Sequence, residues 1–368
     1  MNTQTLIIGG GLTGLALAYR LQQAGHDYLL VEARGRFGGR IKSLTVDGQN
    51  FDLGPSWIWQ GQHRAAALLE HFNLPVFAQW SAGTQLYEQA SGDVVQNAGF
   101  MSMAGSMRIG GGTSALTDAL VQALDPARIC TNAAVRQIGT GPRAMLENGD
   151  IITAQQIVIA VPPRIAAQVT FEPSLPLAAL SALAAIPTWM GAHAKCVAVY
   201  PTPFWRANGM SGDASSRRGP LAEIHDASPM DGDLGALFGF VGLPAAIRAQ
   251  AGDALKDAAL AQFVNLFGPQ ASAPIALHLE DWSQAPFTAA PADATPPPGH
   301  PAYRKPQALD AIWHGQLIFA VTEMAPDNGG LIEGALAAAE AAAADILTRC
   351  LTPLERALQT AQSVWPAF

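Results

Sequence analysis

The first 32 residues constrain the fold more than any stretch that follows. "TLIIGG" reads as an apolar strand, "TGLALAYRLQQAG" as a helix ended by Gly25, and "DYLLVEA" as a second strand, so the chain opens with a βαβ unit. Gly9, Gly11 and Gly14 occupy the turn into the helix, and Glu32 closes the second strand. Glycines there permit a tight turn and let the backbone approach a pyrophosphate seated on the N–H groups of the helix, while an acid at the end of the second strand accepts from ribose hydroxyls. A lone G-x-G-x-x-G specifies little. This one follows a strand, opens a helix and has its acid in place, which points to a bound dinucleotide rather than to a merely tight turn.

At 368 residues, 49% hydrophobic and 14% charged, the chain can bury a large core and divide into two domains. Its net charge of -8 opposes nucleic acid or an anionic membrane as partner, since both need a dense basic surface. The N-terminus runs directly into the first strand and no apolar run approaches the ~20 residues of a membrane span, so the expected location is the cytoplasm. Cys130, Cys196 and Cys350 have no paired spacing and read as buried thiols, with neither a metal site nor a disulfide. Monomer and homodimer are both compatible with this composition.

Helical periodicity recurs in "RAAALLEHF", "TSALTDALVQAL" and "LIEGALAAAEAAAADILTRCL", and strands are expected at "QIVIAVPP", "AKCVAVY", "ALFGFVG" and "QLIFAVTE". Residues 285–306, rich in Pro and Ala, form either an ordered crossing loop or a linker. Gly and Pro elsewhere mark short connections, which suggests domains that the chain enters more than once.

After Glu32 comes "ARGRFGGR", and "EARGRFGGR" followed by "FDLGPSWIW" resembles the flavin-containing amine oxidases, the monoamine oxidase-like branch of the FAD flavoproteins. "MRIGGGTSALTDALVQAL", "NAAVRQIG", "HAKCVAVYPTPFW", "DWSQAPF" and "IFAVTEMAPDNGGLIEGALAAAE" match further blocks of that family in the same order. The resemblance implies an α/β chain with a Rossmann-like FAD-binding domain of the glutathione-reductase type, built from residues 1–80, 106–185 and 291–368. Residues 81–105 and 186–290 would form a substrate domain of mixed sheet plus helices, reduced in size relative to larger family members.

Carried over, the family pattern assigns FAD to Gly9, Gly11, Gly14, Glu32, Ala33, Arg34, Gly39 and Arg40 at the ADP and diphosphate end. Gly54, Pro55, Ser56 and Trp57 would line the ribityl chain and flavin, Val135 would meet adenine through its backbone, and Glu323 would bond the ribityl-diphosphate region. The helix opening at Leu331 and Ile332 would aim its N–H groups at the flavin, and a helix N-terminus stabilises the negative charge of a reduced flavin. Lys195 interrupts an apolar strand. On position alone it reads as a lysine snorkelling to water, whereas the family match makes it the catalytic lysine that holds a water near flavin N5.

Departures from the family carry information too. The two aromatic side chains that flank the substrate amine in classical members are matched here by Leu331 and, with looser alignment, Ala292. Gly329, Gly330 and Leu331 would leave a smooth apolar floor beside the flavin. Residues 285–306 contain no cysteine, so the FAD is expected to be noncovalent. Trp57, Trp205, Trp282 and Leu331 are the expected pocket walls, with Trp189, Phe204, Phe238 and Phe240 as further candidates; His193 and His225 are either bases or ordinary satisfied histidines. The activity implied is hydride transfer from a substrate C–H, of an amine or an amino-acid-like molecule, to flavin N5, with reoxidation by oxygen or another acceptor. Two alternatives remain at this point: desaturation of an apolar or cyclic substrate, and flavin binding without turnover.

Overall fold

The computed structural model describes residues 1–97 and 103–350, so the expected boundaries that run through 98–102 and 351–368, and the side chain of Cys350, lie outside the described residues. Five parallel strands form the heart of the first sheet, in the spatial order Ile129–Cys130, Tyr28–Val31, Asn2–Ile8, Ile151–Ile159 and Leu317–Phe319. The strand Ile151–Ile159 is shared along its length. Its first half pairs antiparallel with Arg143–Leu146, its second half parallel with Leu317–Phe319.

Strand alternation decides what each face of this sheet meets. Ile7, Leu30, Val158 and Ile318 face the helices Leu12–Gln23, Ser114–Ala123 and Ile332–Cys350, while Leu6, Ile8, Leu29, Ile157 and Phe319 face the antiparallel strands and the helix Leu177–Ala185. Where both faces are covered the strands are continuously apolar, at residues 6–8, 29–31, 157–159 and 317–319, whereas the first halves of the two long strands carry Thr3, Thr5, Thr153 and Gln156. The opening helix lies against the sheet at Gly14, where an added Cβ would come within 2.0 Å of the Gly9 carbonyl oxygen.

A second, seven-stranded sheet runs in the order Ala276–Asp281, Ala194–Tyr200, Gly235–Val241, Leu221–Asp226, Met210–Ser216, Thr84–Glu88 and Val94–Gln96. Cys196, Ala198 and Tyr200 face the helix Ala254–Phe267, whereas Val197 and Val199 face Phe51 and Leu53. Lys195 therefore shares the face that looks toward the first sheet. The helix Ala254–Phe267 was not among the expected helices, because its apolar residues surround it rather than forming one stripe. Residues 285–306 form an ordered loop, pinned where the buried Asp293 accepts from Ala290 N (3.0 Å), Thr188 N (2.9 Å) and Arg164 (2.7 Å).

Two expectations need correction here. Trp205 is not a pocket wall: it is fully buried behind the second sheet, edge-on to Tyr200 and Phe204 and tilted against Phe267, with Nε1 donating to Asp226 at 2.9 Å. Strand Ala194–Tyr200 ends before it, and the short helix Phe204–Ala207 turns it to the helix-covered side. Of the thiols, Cys196 is buried but Cys130 only half-buried, on the short edge strand.

Gly14→Ala should cost ~1–3 kcal/mol, because backbone rather than a flexible side chain must give way; a wild-type melting temperature would disprove that packing. Trp205→Ala should cost ~3–5 kcal/mol of stability while leaving substrate KM within about two-fold. A raised KM at unchanged melting temperature would return Trp205 to the pocket.

Candidate active site

The loops that follow four parallel strands of the first sheet converge on one cavity of ≈ 410 Å³: Gly9 and Gly11, Glu32, Ala160 to Pro162, and Val321 and Thr322 all line it. A crevice at the carboxyl ends of the strands is where an open α/β sheet binds its ligand. The opposite wall comes from the second sheet through His193, Lys195 and Phe240.

At the nucleotide end the backbone is tightly interleaved. Gly9 has φ +111°, and an added Cβ would stand 2.7 Å from Ala160 O; a Cβ on Gly39 would stand 3.1 Å from Gly11 Cα. Gly11 caps the opening helix without a side-chain hydrogen bond, so the first-turn amides of that helix have no side-chain acceptor. Glu32 is held by Gly10 N (2.7 Å) and Arg34 N (2.9 Å). Arg34 reaches across to the Pro286 carbonyl and to Thr288 Oγ1 (2.6 Å), fixing a loop whose Phe287 adopts φ +60°. An uncapped helix end, close-approach glycines and a fixed acid together suit a dinucleotide diphosphate with its ribose.

At the other end, Gly54 packs so closely that an added Cβ would come within 2.0 Å of Arg40 O, and Ser56 and Trp57 follow it into the cavity wall. Lys195 is buried beneath them, donating to Ser56 Oγ at 2.6 Å and Gly54 O at 3.2 Å, with its Nζ 3.7 Å from the centre of the Phe238 ring. Burial lowers its pKa to about 7, with Asp52 opposing and Arg108 adding to the shift. Lys195 therefore does not snorkel. Trp57 donates to Gln79 at 2.8 Å and meets the edge of His225 at 5.1 Å.

His225 is a satisfied histidine away from the cavity, with Nδ1 2.8 Å from Asp213 and Nε2 2.7 Å from Glu223. Burial works against its charge, but those two carboxylates outweigh it and raise its pKa. His193 does line the cavity, and burial with the Arg248 charge lowers its pKa.

The cavity thus gathers Gly9, Gly11, Glu32, Arg34, Gly39, Arg40, Gly54, Pro55, Ser56, Trp57, Lys195, Trp282, Leu331 and Ile332 from the expected set. Gly14 lies behind Gly9, Glu323 lies behind Arg40, and Ala33 is outside the lining. Val135 also stands apart, at the start of strand Val135–Gly139, because Asn132 N and Ala133 N bond back to the carbonyls of Arg34 and Glu32 (both 2.9 Å) and end the approach before it. Gly330 and Leu331 line the cavity, and the two glycines have a further packing role. Cβ atoms there would stand 2.5 Å from Tyr303 Cβ and 2.9 Å from Trp189 Cβ, so the glycines seat two aromatic side chains, and Leu331 alone of the three lines the cavity with its own side chain. Trp59, Gln62, Met103, Phe287 and Thr288 were missed; all sit in loops or beside them, where no periodicity marks an inward side chain.

Among the described residues no helix is long and apolar enough to cross a membrane, and no group of three or more His, Cys, Asp or Glu is placed to hold a metal. The family model described as flavin containing amine oxidoreductase matches residues 12–93 and 78–347. A protein of Dictyostelium discoideum named "Probable flavin-containing monoamine oxidase A" is 23% identical, covering 90% of this chain and 94% of its own. The putrescine oxidase of Kocuria rosea is likewise 23% identical, over 95% of this chain and 96% of its own. The solved structure of cyclohexylamine oxidase from Brevibacterium oxydans superimposes with a TM-score of 0.79 at 21% identity, covering 95% of this chain and 99% of that one. With the family model spanning nearly the whole described chain, on a fold whose glycine turns and uncapped opening helix suit FAD, the protein belongs to the flavin-containing amine oxidoreductases and is a FAD-dependent oxidoreductase.

Proposed function

We propose that the substrate is an amine with a bulky apolar body and no second charge, oxidised at its α-carbon. The observation that carries this reading is the cavity's charge pattern: the one carboxylate among its described lining residues is Glu32, already engaged by Gly10 and Arg34 at the nucleotide end. Trp57, Trp59, Phe240, Leu331 and Ile332 supply apolar wall to the same cavity, with the Phe240 ring 6.0 Å from Lys195 Nζ. Among the relatives, one is named for putrescine and another for cyclohexylamine. A diamine would bring a second ammonium with no acid to meet it, and an unpaired buried charge costs several kcal/mol. A six-carbon ring would gain ~0.8 kcal/mol for each CH₂ it buries.

The same residues supply the mechanism. The amides after Gly11, with Arg40 and Glu32, would hold the diphosphate and ribose of FAD, and the amides opening the helix Ile332–Cys350 would face its flavin end. No cysteine lines the cavity among the described residues, which supports a noncovalent cofactor. Bound FAD supplies the two-electron acceptor for the substrate's α-C–H bond. The aromatic and aliphatic walls exclude water and orient that bond. Lys195, its Nζ near neutrality at physiological pH, can hold or release a proton beside the reacting atoms while Ser56 and Gly54 fix its position. A second reading, C–C dehydrogenation of a cyclic apolar molecule, is favoured by one observation, the apolar Leu331 in the wall.

Anaerobic mixing with cyclohexylamine- or benzylamine-type substrates should bleach the flavin, and putrescine should do so about 100-fold less efficiently, the size expected for ~3 kcal/mol. Bleaching by hydroaromatics and not by amines would overturn the amine reading. Lys195→Met should slow flavin turnover on the order of 100-fold and abolish a pH step near 7. Stability should follow with a defined sign. The unfolded chain holds the Lys195 proton more tightly than the folded one, so between pH about 7 and 10.5 wild type should gain stability relative to Lys195→Met as pH rises, and the difference should level off below 7. A pH-independent difference in melting temperature would show that Lys195 keeps an ordinary pKa.

A further inference from the structure

Trp57 lines the cavity, yet the group that holds its indole does not. Trp57 Nε1 donates to Gln79 Oε1 at 2.8 Å, and Gln79 is buried outside the lining. Backbone pairing brings the two together. Ile58, the residue after Trp57, exchanges both backbone hydrogen bonds with Met107 (2.9 Å each), and Met107 opens the strand Met107–Ile109, which pairs with Val76–Ala78 just before Gln79.

The Gln79 amide is engaged at both ends. An indole N–H can only donate, so the atom it meets is the amide oxygen, and the amide nitrogen is turned to the carbonyls of Asp226 (2.9 Å) and Trp80 (3.0 Å). A flipped amide would set N–H against N–H and oxygen against oxygen. Asp226 is itself a fixed point, since its buried carboxylate accepts from Trp205 Nε1 (2.9 Å), Arg206 (2.8 Å to each oxygen) and Ser228 N (2.8 Å). It ends the strand Leu221–Asp226, so Gln79 ties the indole to the second sheet. The same sheet supplies the ring's packing, with Phe238 at 5.3 Å, Phe240 at 6.2 Å and His225 edge-on at 5.1 Å between ring centres. Aromatic packing chooses only weakly between the two orientations of an indole about χ2, whereas the hydrogen bond admits one, because only one aims Nε1 at Gln79.

We propose that Gln79 is a positioning residue: it fixes which side of the Trp57 ring forms the cavity wall, and so how well a bulky apolar substrate body fits against it. This deepens the amine reading of the cavity and rests on it for the identity of that body. Without Gln79 the indole N–H loses its acceptor, and the ring turns to find another, moving the wall.

The test uses the FAD-loaded enzyme with 2-phenylpropan-2-amine and tert-butylamine. Their amine carbons bear no hydrogen, so they bind without being oxidised, and Kd is read from the perturbed flavin absorption at one pH, corrected for each amine's own ionisation. Gln79→Met should lower the preference for the phenyl compound about five-fold, the size of one neutral hydrogen bond. In a Trp57→Phe background, which has no indole N–H to hold, the same substitution should change the preference by less than about two-fold. General damage to the fold would persist in that background. A five-fold loss in both backgrounds, or in neither, would overturn the assignment. Nitrogen NMR of ¹⁵N-tryptophan-labelled enzyme checks the contact directly. The indole signal that Trp57→Phe removes belongs to Trp57; it should be a single exchange-protected line in wild type, and should shift and lose protection in Gln79→Met. A signal that Gln79→Met leaves unmoved would overturn the assignment whatever the amines do. Failure of both amines to bind, with the indole signal shifted as expected, would sink the amine reading alone.

Discussion

The ion pair between Arg40 and the wholly buried Glu323 is the contact on which the cavity depends. It is bidentate, with the second nitrogen 3.0 Å from Glu323 Oε2, and it joins the glycine turn after the second strand to the segment after Leu317–Phe319. Trp189 is drawn in as well, its carbonyl accepting from Arg40 at 3.3 Å and its N–H reaching Glu323 at 3.4 Å. Three stretches distant in sequence thus share one pair of charges. Burial works against the Arg40 charge, but Glu323 outweighs it and raises the pKa, so the guanidinium remains a fixed cation in the cavity wall. A buried pair of this kind contributes position rather than net stability, since removing either partner would leave the other unpaired in the interior.

This tie explains how the second sheet is delivered to the site. The chain passes from Trp189 to Gly191 directly into the strand Ala194–Tyr200, so anchoring Trp189 sets where Lys195 meets the Gly54 carbonyl. Phe51 and Leu53, packed against Val197, Val199 and Phe238, hold the other side of that meeting. Trp282 Nε1 donates to Leu53 O at 3.0 Å and closes the same corner. Lys195 can be kept almost free of water because every element around it is clamped by a neighbour.

What was legible in the sequence followed from local rules. The turn at Gly9, Gly11 and Gly14 with Glu32 at the next strand end is specified by short-range geometry, and the structure places Gly9, Gly11 and Glu32 on the cavity. Trp205 illustrates the opposite case. Lys195 apart, "AKCVAVY" is apolar on both faces, so alternation gives little sign of which face meets the cavity, and an aromatic beyond the strand end is assigned only when the helix Ala254–Phe267 is seen to cover one side. Val135 is not among the lining residues of the cavity, and residues 132 and 133 bond back to the carbonyls of Arg34 and Glu32 just before it. Gly329 and Gly330 were read, with Leu331, as a smooth apolar floor. Their glycine identity instead answers Tyr303 and Trp189, which come from far away in the chain.

The relation between Leu331 and the charges of the cavity follows from these placements. An apolar side chain at the entrance of the helix Ile332–Cys350 offers a substrate no polar partner, and the aromatic groups nearby, Trp57, Trp59 and Phe240, add surface without charge. Lys195 on the second sheet, and His193 just before its strand, are the ionisable lining groups on that side of the cavity. Lys195 is held near neutrality and His193 below its ordinary pKa, both chiefly by burial, so both lean toward their uncharged forms as pH rises. An apolar amine that enters as the neutral base meets a wall that is itself close to neutral, whereas an ammonium would have to shed its proton or remain unpaired. A preference of this site for uncharged molecules would thus follow from how deeply Lys195 and His193 are buried.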